Sequence, residues 1–526
     1  MSNPHSHTND AILRAIPLSA YEKLTRMRLL LVASFLPFFY ASESGAVDYY
    51  WTHSNLGGTY PSADAACTAY VKFFHHGHTA LVGISPFILS HYNPPKNDER
   101  RVICKLTYRA DNGTLLPSTT SVHRSGTSCW NNLTYNPTTT ECASDPGKGD
   151  PDTCPKAVGG NPINAANGNK FQKEIDSTGS GLSILQFART YNSLDGLWRH
   201  NHSTRLRLFG SKLALVRADG REIIFTVNNA TTPPTVTALP TELGRLTKVG
   251  ESWLYVDKNN DTYSFDATGR LTRWANTAGA EHLLTYADGT VTVSDKSGQS
   301  LSFTEDAQHQ PLTMNTSGLS IQYEYNASKR LIKLTRTRGE QTEQKLFHYE
   351  LADKPHLLTG ITDERGVRYA TWSYDEQGRA TSSEHAGGVE HTDIAYNTDG
   401  SSTITNEFGK KSTYRFVTID GVRRVSAIEG EALGSCAMSN STFTYDARGL
   451  LKTKTDNKGH LTTYDYNTRG LEVSRTEAVG TAQARTITTD WHPTLFLPVT
   501  VTEPTRITTY TYDAQGRQLS QSVTQR

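Results

Sequence analysis

Along the second half of the chain an aromatic residue returns with a steady period, as Phe265, Tyr286, Phe303, Tyr325, Tyr349, Tyr374, Tyr396, Phe416, Tyr445, Tyr466, Trp491 and Tyr512, a mean step of about 22 residues. Interleaved with this ladder is a second signal, Asp or Asn followed by two variable residues and then Gly. It stands at Asp266/Gly269, Asp375/Gly378, Asp446/Gly449 and Asp513/Gly516, among other places. In such a tetrad the Asx side chain accepts backbone N–H bonds of a type I turn, and the closing Gly takes a positive φ that other residues resist. A turn of this kind reverses a strand, so each repeat reads as one β-hairpin with strands of about 6–8 residues.

Twelve hairpins supply about 24 strands, and at about 4.8 Å per strand a continuous ribbon of them is roughly 115 Å wide. An open twisted sheet seldom stays flat beyond about ten strands. The ribbon must therefore coil, close or split, and a wall one β-layer thick follows. Composition agrees, because the apolar share is only 36% and 25 Tyr stand against 4 Met, a bias toward half-buried strands over helices. The 53 basic and 52 acidic side chains nearly cancel, to +1. That balance leaves no basic footprint for a nucleic acid or an anionic membrane surface.

The other end of the chain is different. Arg26-Met27-Arg28 precedes the apolar run Leu29–Tyr40, and the small residues Ser44 and Ala46 follow. This order predicts a secretory signal over 1–46, cleaved after Ala46, with translation starting at Met27; the run is too short to span a bilayer. Residues 47–143 read as a small cysteine-containing module. Ser62 caps a predicted helix carrying Ala66, Ala69, Tyr70 and Phe73 at helical spacing. Cys67, Cys104, Cys129, Cys142 and Cys154 cluster here without a CxxC pair, which favours disulfides over zinc in an exported chain. Which of them pair is open. A Pro/Gly-rich linker occupies 144–157, and an opening β domain is expected at 158–259 before the repeats at 260–526.

The repeats also carry a family signature. Tyr445-Asp446-Ala447-Arg448-Gly449, Tyr512-Asp513-Ala514-Gln515-Gly516-Arg517 and Tyr374-Asp375-Glu376-Gln377-Gly378-Arg379 resemble the YD repeat of rearrangement-hotspot (RHS) proteins, and Phe265-Asp266-Ala267-Thr268-Gly269-Arg270 is a Phe variant. Gly160-Asn161-Pro162-Ile163-Asn164, followed by Phe187-Ala188-Arg189-Thr190-Tyr191-Asn192, resembles the domain that opens the repeat region in bacterial members. The resemblance implies a hollow β-cocoon enclosing a toxic C-terminal domain, with related shells in insecticidal toxin complexes and teneurins. The sequence departs from that plan at its end. After the last YD turn it runs only to Gln521-Ser522-Val523-Thr524-Gln525-Arg526, and its Asp-Pro pairs, Asp145-Pro146 and Asp150-Pro151, precede the repeats. Autoproteolysis and cargo release are therefore not carried over.

Three places carry residues of candidate chemistry. His75-His76-Gly77-His78 with His91 has the density of a metal site but no carboxylate or thiolate at ligand spacing, and reads as a solvated loop. Glu384-His385 and Glu390-His391 flank Gly387-Gly388, which makes a hairpin tip with the pairs facing each other across strands rather than a catalytic dyad. Trp253, Trp274 and Trp372 lie off the aromatic ladder and are candidate glycan platforms.

The expected protein is mainly β: a YD-repeat hairpin ribbon coiled as a partial single-layer shell, preceded by a small disulfide-supported α+β module. It is expected to be a non-enzymatic, exported scaffold without a cofactor or metal, located in the envelope or outside the cell. Its expected partner is a toxin polypeptide or a chain that completes the shell, the alternative being a surface module that binds glycans or a partner cell.

Overall fold

A computed structural model describes residues 156–526, apart from 180–182, 210–211, 239–241, 420 and 434–437, and, before them, only stretches between 50 and 149. The predicted signal, the His75–His91 cluster, Cys129, Cys154 and Cys436 lie outside the described residues.

The turns and the ladder together build one antiparallel sheet of 26 strands in strict sequence order, from Arg245–Val249 to Gln518–Gln525. Two smaller sheets precede it: five strands from Val158–Gly159 to Leu197–His200, then four from Arg205–Phe209 to Thr235–Ala238. Alternation along many of its strands puts one face of the long sheet in the core, for example Val291 and Val293, Leu301 and Phe303, Ile321 and Tyr323. That face packs on the five-stranded sheet, where Phe187, Tyr191 and Trp198 are fully buried in the same core. A flat strip of this many strands would be about 125 Å wide. It is bent instead, because Asn260, near its beginning, accepts a hydrogen bond from the backbone N–H of Phe496 at 2.8 Å, across 236 residues.

One expectation is corrected. The fold class is mainly β, but the part before residue 144 is not described as a disulfide-supported α+β module. The elements described there are strands: Tyr50–Thr52, Leu115–Ser125 and Arg101–Arg109 in one sheet, and Thr134–Asn136 with Glu141–Ala143 in another. Among the described residues α-helical backbone is confined to Ala66, Cys67, Ala69 and Tyr70, with a 3-10 turn at Ala386–Gly388; this is too little for a helical layer, and no disulfide pair is described. The physical reason is that Arg101–Arg109 pairs over its full length with residues 115–123 of Leu115–Ser125, so a long backbone ladder organises this part. Cys67 is buried and is not a free thiol, whereas Cys104 and Cys142 sit within strands.

Each Asp tetrad turn has the same bonds. At Asp266, Oδ1 accepts the backbone N–H groups of Thr268 and Arg270, both at 2.9 Å, and Gly269 closes the turn at φ +89°. Asp375, Asp446 and Asp513 repeat the pattern with Gly378, Gly449 and Gly516 at φ between +74° and +84°. The glycines share a conformation but not surroundings. A Cβ on Gly269 would stand 2.1 Å from the carbonyl oxygen of Leu206, while one on Gly459 (φ +80°) would meet nothing within 4 Å. Gly459→Ala is therefore expected to cost about 1–2 kcal/mol from backbone strain alone. Gly269→Ala adds a backbone clash and is expected near about 3 kcal/mol. Equal shifts in the urea midpoints of the two variants would contradict this.

Candidate functional site

The ladder aromatics do more than fill a seam. A β-bulge sits at many of the ladder positions, as at Tyr445 opposite Leu451, Tyr466 opposite Glu472 and Trp491 opposite Pro498. A bulge takes a backbone group out of the regular ladder. The next ring in the series supplies a donor to the carbonyl on the strand opposite the bulge: Tyr466 Oη to Leu451 O at 2.8 Å, Trp491 Nε1 to Glu472 O at 2.7 Å, Tyr512 Oη to Pro498 O at 2.8 Å. Tyr286, Tyr396 and Tyr445 do the same toward Leu271, Ala380 and Val425. Where the ladder residue is Tyr or Trp, the repeat thus acts as a relay in which one unit satisfies the carbonyl opposite the previous unit's bulge. The arginine four residues after the Asp neutralises it, as in Arg270–Asp266 at 2.8 Å and Arg379–Asp375 at 2.7 Å.

The seam between the opening sheet and the long sheet is polar although buried. Arg189 is fully buried and bonds the Asp176 carboxylate, with Nη2 to Oδ1 at 2.9 Å, while Tyr323 of the long sheet donates to Asp176 Oδ2 at 2.8 Å. Its guanidinium also lies 4.8 Å from the Trp198 ring centroid and 5.2 Å from that of Phe347. Glu174 is held by Lys345 at 2.8 Å and Tyr369 at 2.9 Å. Glu305 receives His200 at 3.0 Å and His309 at 2.7 Å; burial opposes its ionisation, but these two hydrogen bonds prevail and lower its pKa. Tyr191 donates to His356 O at 2.7 Å and accepts from Leu358 N at 2.9 Å. Buried polar groups without partners are costly, so these bonds fix one docking position of the opening sheet on the long sheet.

The three off-ladder tryptophans are placed differently. Trp372 is buried, donates to Asn161 O at 3.2 Å and stacks under the Lys170 ammonium at 4.2 Å. Trp253 is 7% exposed, with Lys248 over its ring. Trp274 is half-buried and lines a cavity of about 370 Å³ together with His202, Arg217, Asp261, Tyr263 and His282. Burial draws the His202 pKa down to about 3, helped by His200 and His282, while burial and neighbouring Asp257 push Asp261 up to about 6. The Glu/His hairpin is an exposed pair of cross-strand contacts, His391–Glu384 at 3.0 Å and His385–Glu390 at 3.2 Å. Among the described residues no group of three or more His, Cys, Asp or Glu could hold a metal ion.

Two family models match the chain: a domain of unknown function (DUF6531) at residues 160–225, which spans the opening sheet with its side of the polar seam and most of the four-stranded sheet, and the RHS repeat at 445–482, which begins at Tyr445 and includes Tyr466. The chain belongs to the RHS/YD-repeat family. As an RHS/YD-repeat chain it is a non-enzymatic scaffold. No curated protein matches it. Among solved structures it is similar to TcdB2-TccC3 without the hypervariable C-terminal region, at 11% identity and TM-score 0.33, over 69% of this chain and 24% of that one. It is also similar to TcdB2-TccC3-TEV, at 11% identity and TM-score 0.34, over 87% and 26%. The Tc holotoxin pore of Photorhabdus luminescens aligns at 11% identity and TM-score 0.33, over 80% and 24%. The RHS/YD-repeat chain therefore spans about a quarter of the length of these solved chains. No described helix is long and apolar enough to cross a membrane.

The relay, the Asp–Arg neutralisation and the cavity all escaped the sequence reading. A recurrent Tyr where Phe would pack as well is the one local signal for the relay. Nothing local announces His202, Arg217, Asp261 and His282 as neighbours.

Proposed function

We propose that the chain is a wall segment of a β-shell that encloses a toxin polypeptide, with an opening unit at 158–259 and a repeat wall at 260–526. The observation that carries this reading is the bend that brings Asn260 to Phe496, since a strip that returns on itself after some twenty strands encloses a volume. The turns and the relay supply the regular step such a wall needs, and the polar seam fixes where its first turn starts. The apolar run Leu29–Tyr40 with the small residues after it supports export to the envelope or beyond.

The test is recovery of the exported chain from its native cells, with mass spectrometry and limited proteolysis of what accompanies it. A second polypeptide at fixed stoichiometry, resistant to protease until the wall is denatured, is the expected result. A chain recovered alone, or a companion digested as fast as when free, would overturn the encapsulation reading.

A further inference from the structure

We propose that the side chains of Lys170 and Gln172 join covalently, in an amide bond that the folded chain makes by itself once the opening sheet has docked on the long sheet. Lys170, Gln172 and Glu174 alternate along the strand Asn169–Thr178 and are buried, whereas Lys173 and Ile175 between them are exposed. The pleat therefore turns all three to one face. There they form a chain of hydrogen bonds: Lys170 Nζ donates to Gln172 Oε1 at 2.7 Å, and Gln172 Nε2 donates to Glu174 Oε1 at 2.7 Å. Burial opposes ionisation of Glu174, but the Lys345 ammonium prevails and lowers its pKa. The ionised carboxylate can only accept, which fixes the amide nitrogen on its side and the amide oxygen on the lysine.

The arrangement supplies a nucleophile, an electrophile and a proton carrier. Lys170 is fully buried, and the hydrogen-bond partners of its Nζ, Asn161 O, Phe171 O and Gln172 Oε1, are all neutral. Burial pulls the Lys170 pKa well below the usual lysine range, against the opposing charge of Glu174, and so raises the share of free amine. With Nζ 2.7 Å from Oε1, and a C=O bond of about 1.23 Å, the carbonyl carbon lies within about 3.9 Å of the amine. A small turn of the amide reaches the roughly 3–3.5 Å of a near-attack geometry. Trp372 covers the amine, and Lys345 and Tyr369 hold Glu174. These three residues belong to the long sheet, so the site is complete only after docking. In the step, the Lys170 lone pair attacks Cδ of Gln172 and the C=O electron pair moves onto Oε1. The proton shed by the attacking nitrogen passes through Glu174 to Nε2; the carbonyl then re-forms, the Cδ–Nε2 bond breaks and ammonia leaves. One C–N bond forms and one breaks, nothing is oxidised or reduced, and Glu174 ends as the carboxylate it began as. The product replaces a costly buried cation with a neutral amide. The reaction does not depend on cargo, because every group it uses belongs to this chain.

Mass spectrometry of the folded, intact chain tests this. The chain is expected to be lighter than its sequence by one ammonia. Trypsin cleaves after a free lysine, so cleavage between Lys170 and Phe171 should be lost in the same fraction of molecules, and fragmentation should place the deficit on residues 170–172. Gln172→Glu keeps the shape of the side chain, offers the buried lysine a counter-charge and has no ammonia to release there; it should show the full mass of its own sequence and normal cleavage after Lys170. Glu174→Gln removes the proton carrier and should slow the loss of ammonia by about a hundredfold or more. The parent chain decides the matter even if a variant fails to fold. A parent of full mass that trypsin cuts normally after Lys170, or an ammonia deficit that maps elsewhere or persists in Gln172→Glu, would overturn the proposal.

Discussion

Asp176→Ala is expected to destabilise the chain by about 3–5 kcal/mol, the usual cost of stripping one partner from a buried ion pair. The substitution removes little volume. It leaves the Arg189 guanidinium charged, fully buried and without its carboxylate, and it leaves the Tyr323 hydroxyl without an acceptor. The three residues come from two elements of the opening sheet and one of the long sheet, so the loss falls on docking rather than on either sheet alone. Tyr323→Phe should cost about 1 kcal/mol by itself, because only one hydrogen bond is removed. In the Asp176→Ala background it should cost less, since its acceptor is already gone, giving a coupling of about 0.5–3 kcal/mol in a double-mutant cycle. Urea unfolding followed by tryptophan fluorescence reads these differences. An Asp176→Ala midpoint indistinguishable from that of the parent chain would show that the buried triad does not hold the seam.

Trp198→Ala should be of similar size, about 3–5 kcal/mol, for a different reason. The ring is fully buried, packs edge-on against Phe347 at 5.1 Å and on Tyr191 at 5.4 Å, and forms one face of the Arg189 sandwich. Its truncation opens a cavity at the centre of the seam, where both sheets are stiff and collapse is resisted. The indole also donates to Tyr349 Oη at 3.0 Å. Trp198→Phe separates the two effects: it keeps most of the packing and removes the donor, so about 1–2 kcal/mol is expected. Limited proteolysis gives an independent readout. Cleavage within 160–200 should rise steeply in Trp198→Ala and only slightly in Trp198→Phe. Equal resistance of Trp198→Ala and the parent would mean that the core does not depend on this side chain.

Legibility in the sequence follows the range of each interaction. The tetrad turns were readable because every bond they need closes within four residues, as between Asp266 and Arg270. The strand count and the need to bend followed from the turns, since the width of a sheet is arithmetic once its hairpins are known. The relay was not readable. Its acceptors lie 15 to 20 residues upstream for Tyr466 and Tyr445, and which carbonyl needs a donor depends on where the bulges fall. The seam joins still more distant residues: Trp372 reaches Asn161 across 211 positions, and Tyr323 reaches Asp176 across 147. The cavity depends on register, because a shift of one residue would turn Trp274 and His282 to the other face. The α+β expectation for 47–143 rests on local helical spacing near Ala66, whereas the pairing between Arg101–Arg109 and Leu115–Ser125 joins residues up to 22 positions apart and has no local helical or turn signature.

The bend of the long sheet is the claim on which the wall reading stands, and a distance measures it. Asn259 and Thr494 are both exposed and flank the Asn260–Phe496 contact. Fluorophores attached through unnatural amino acids at these two positions should give high single-molecule energy transfer in the folded chain. In an unbent strip the same positions would stand some twenty strands apart, roughly 100 Å, and transfer would be nearly absent. High transfer that vanishes in urea is the predicted result; low transfer in the native chain would contradict the coiled wall.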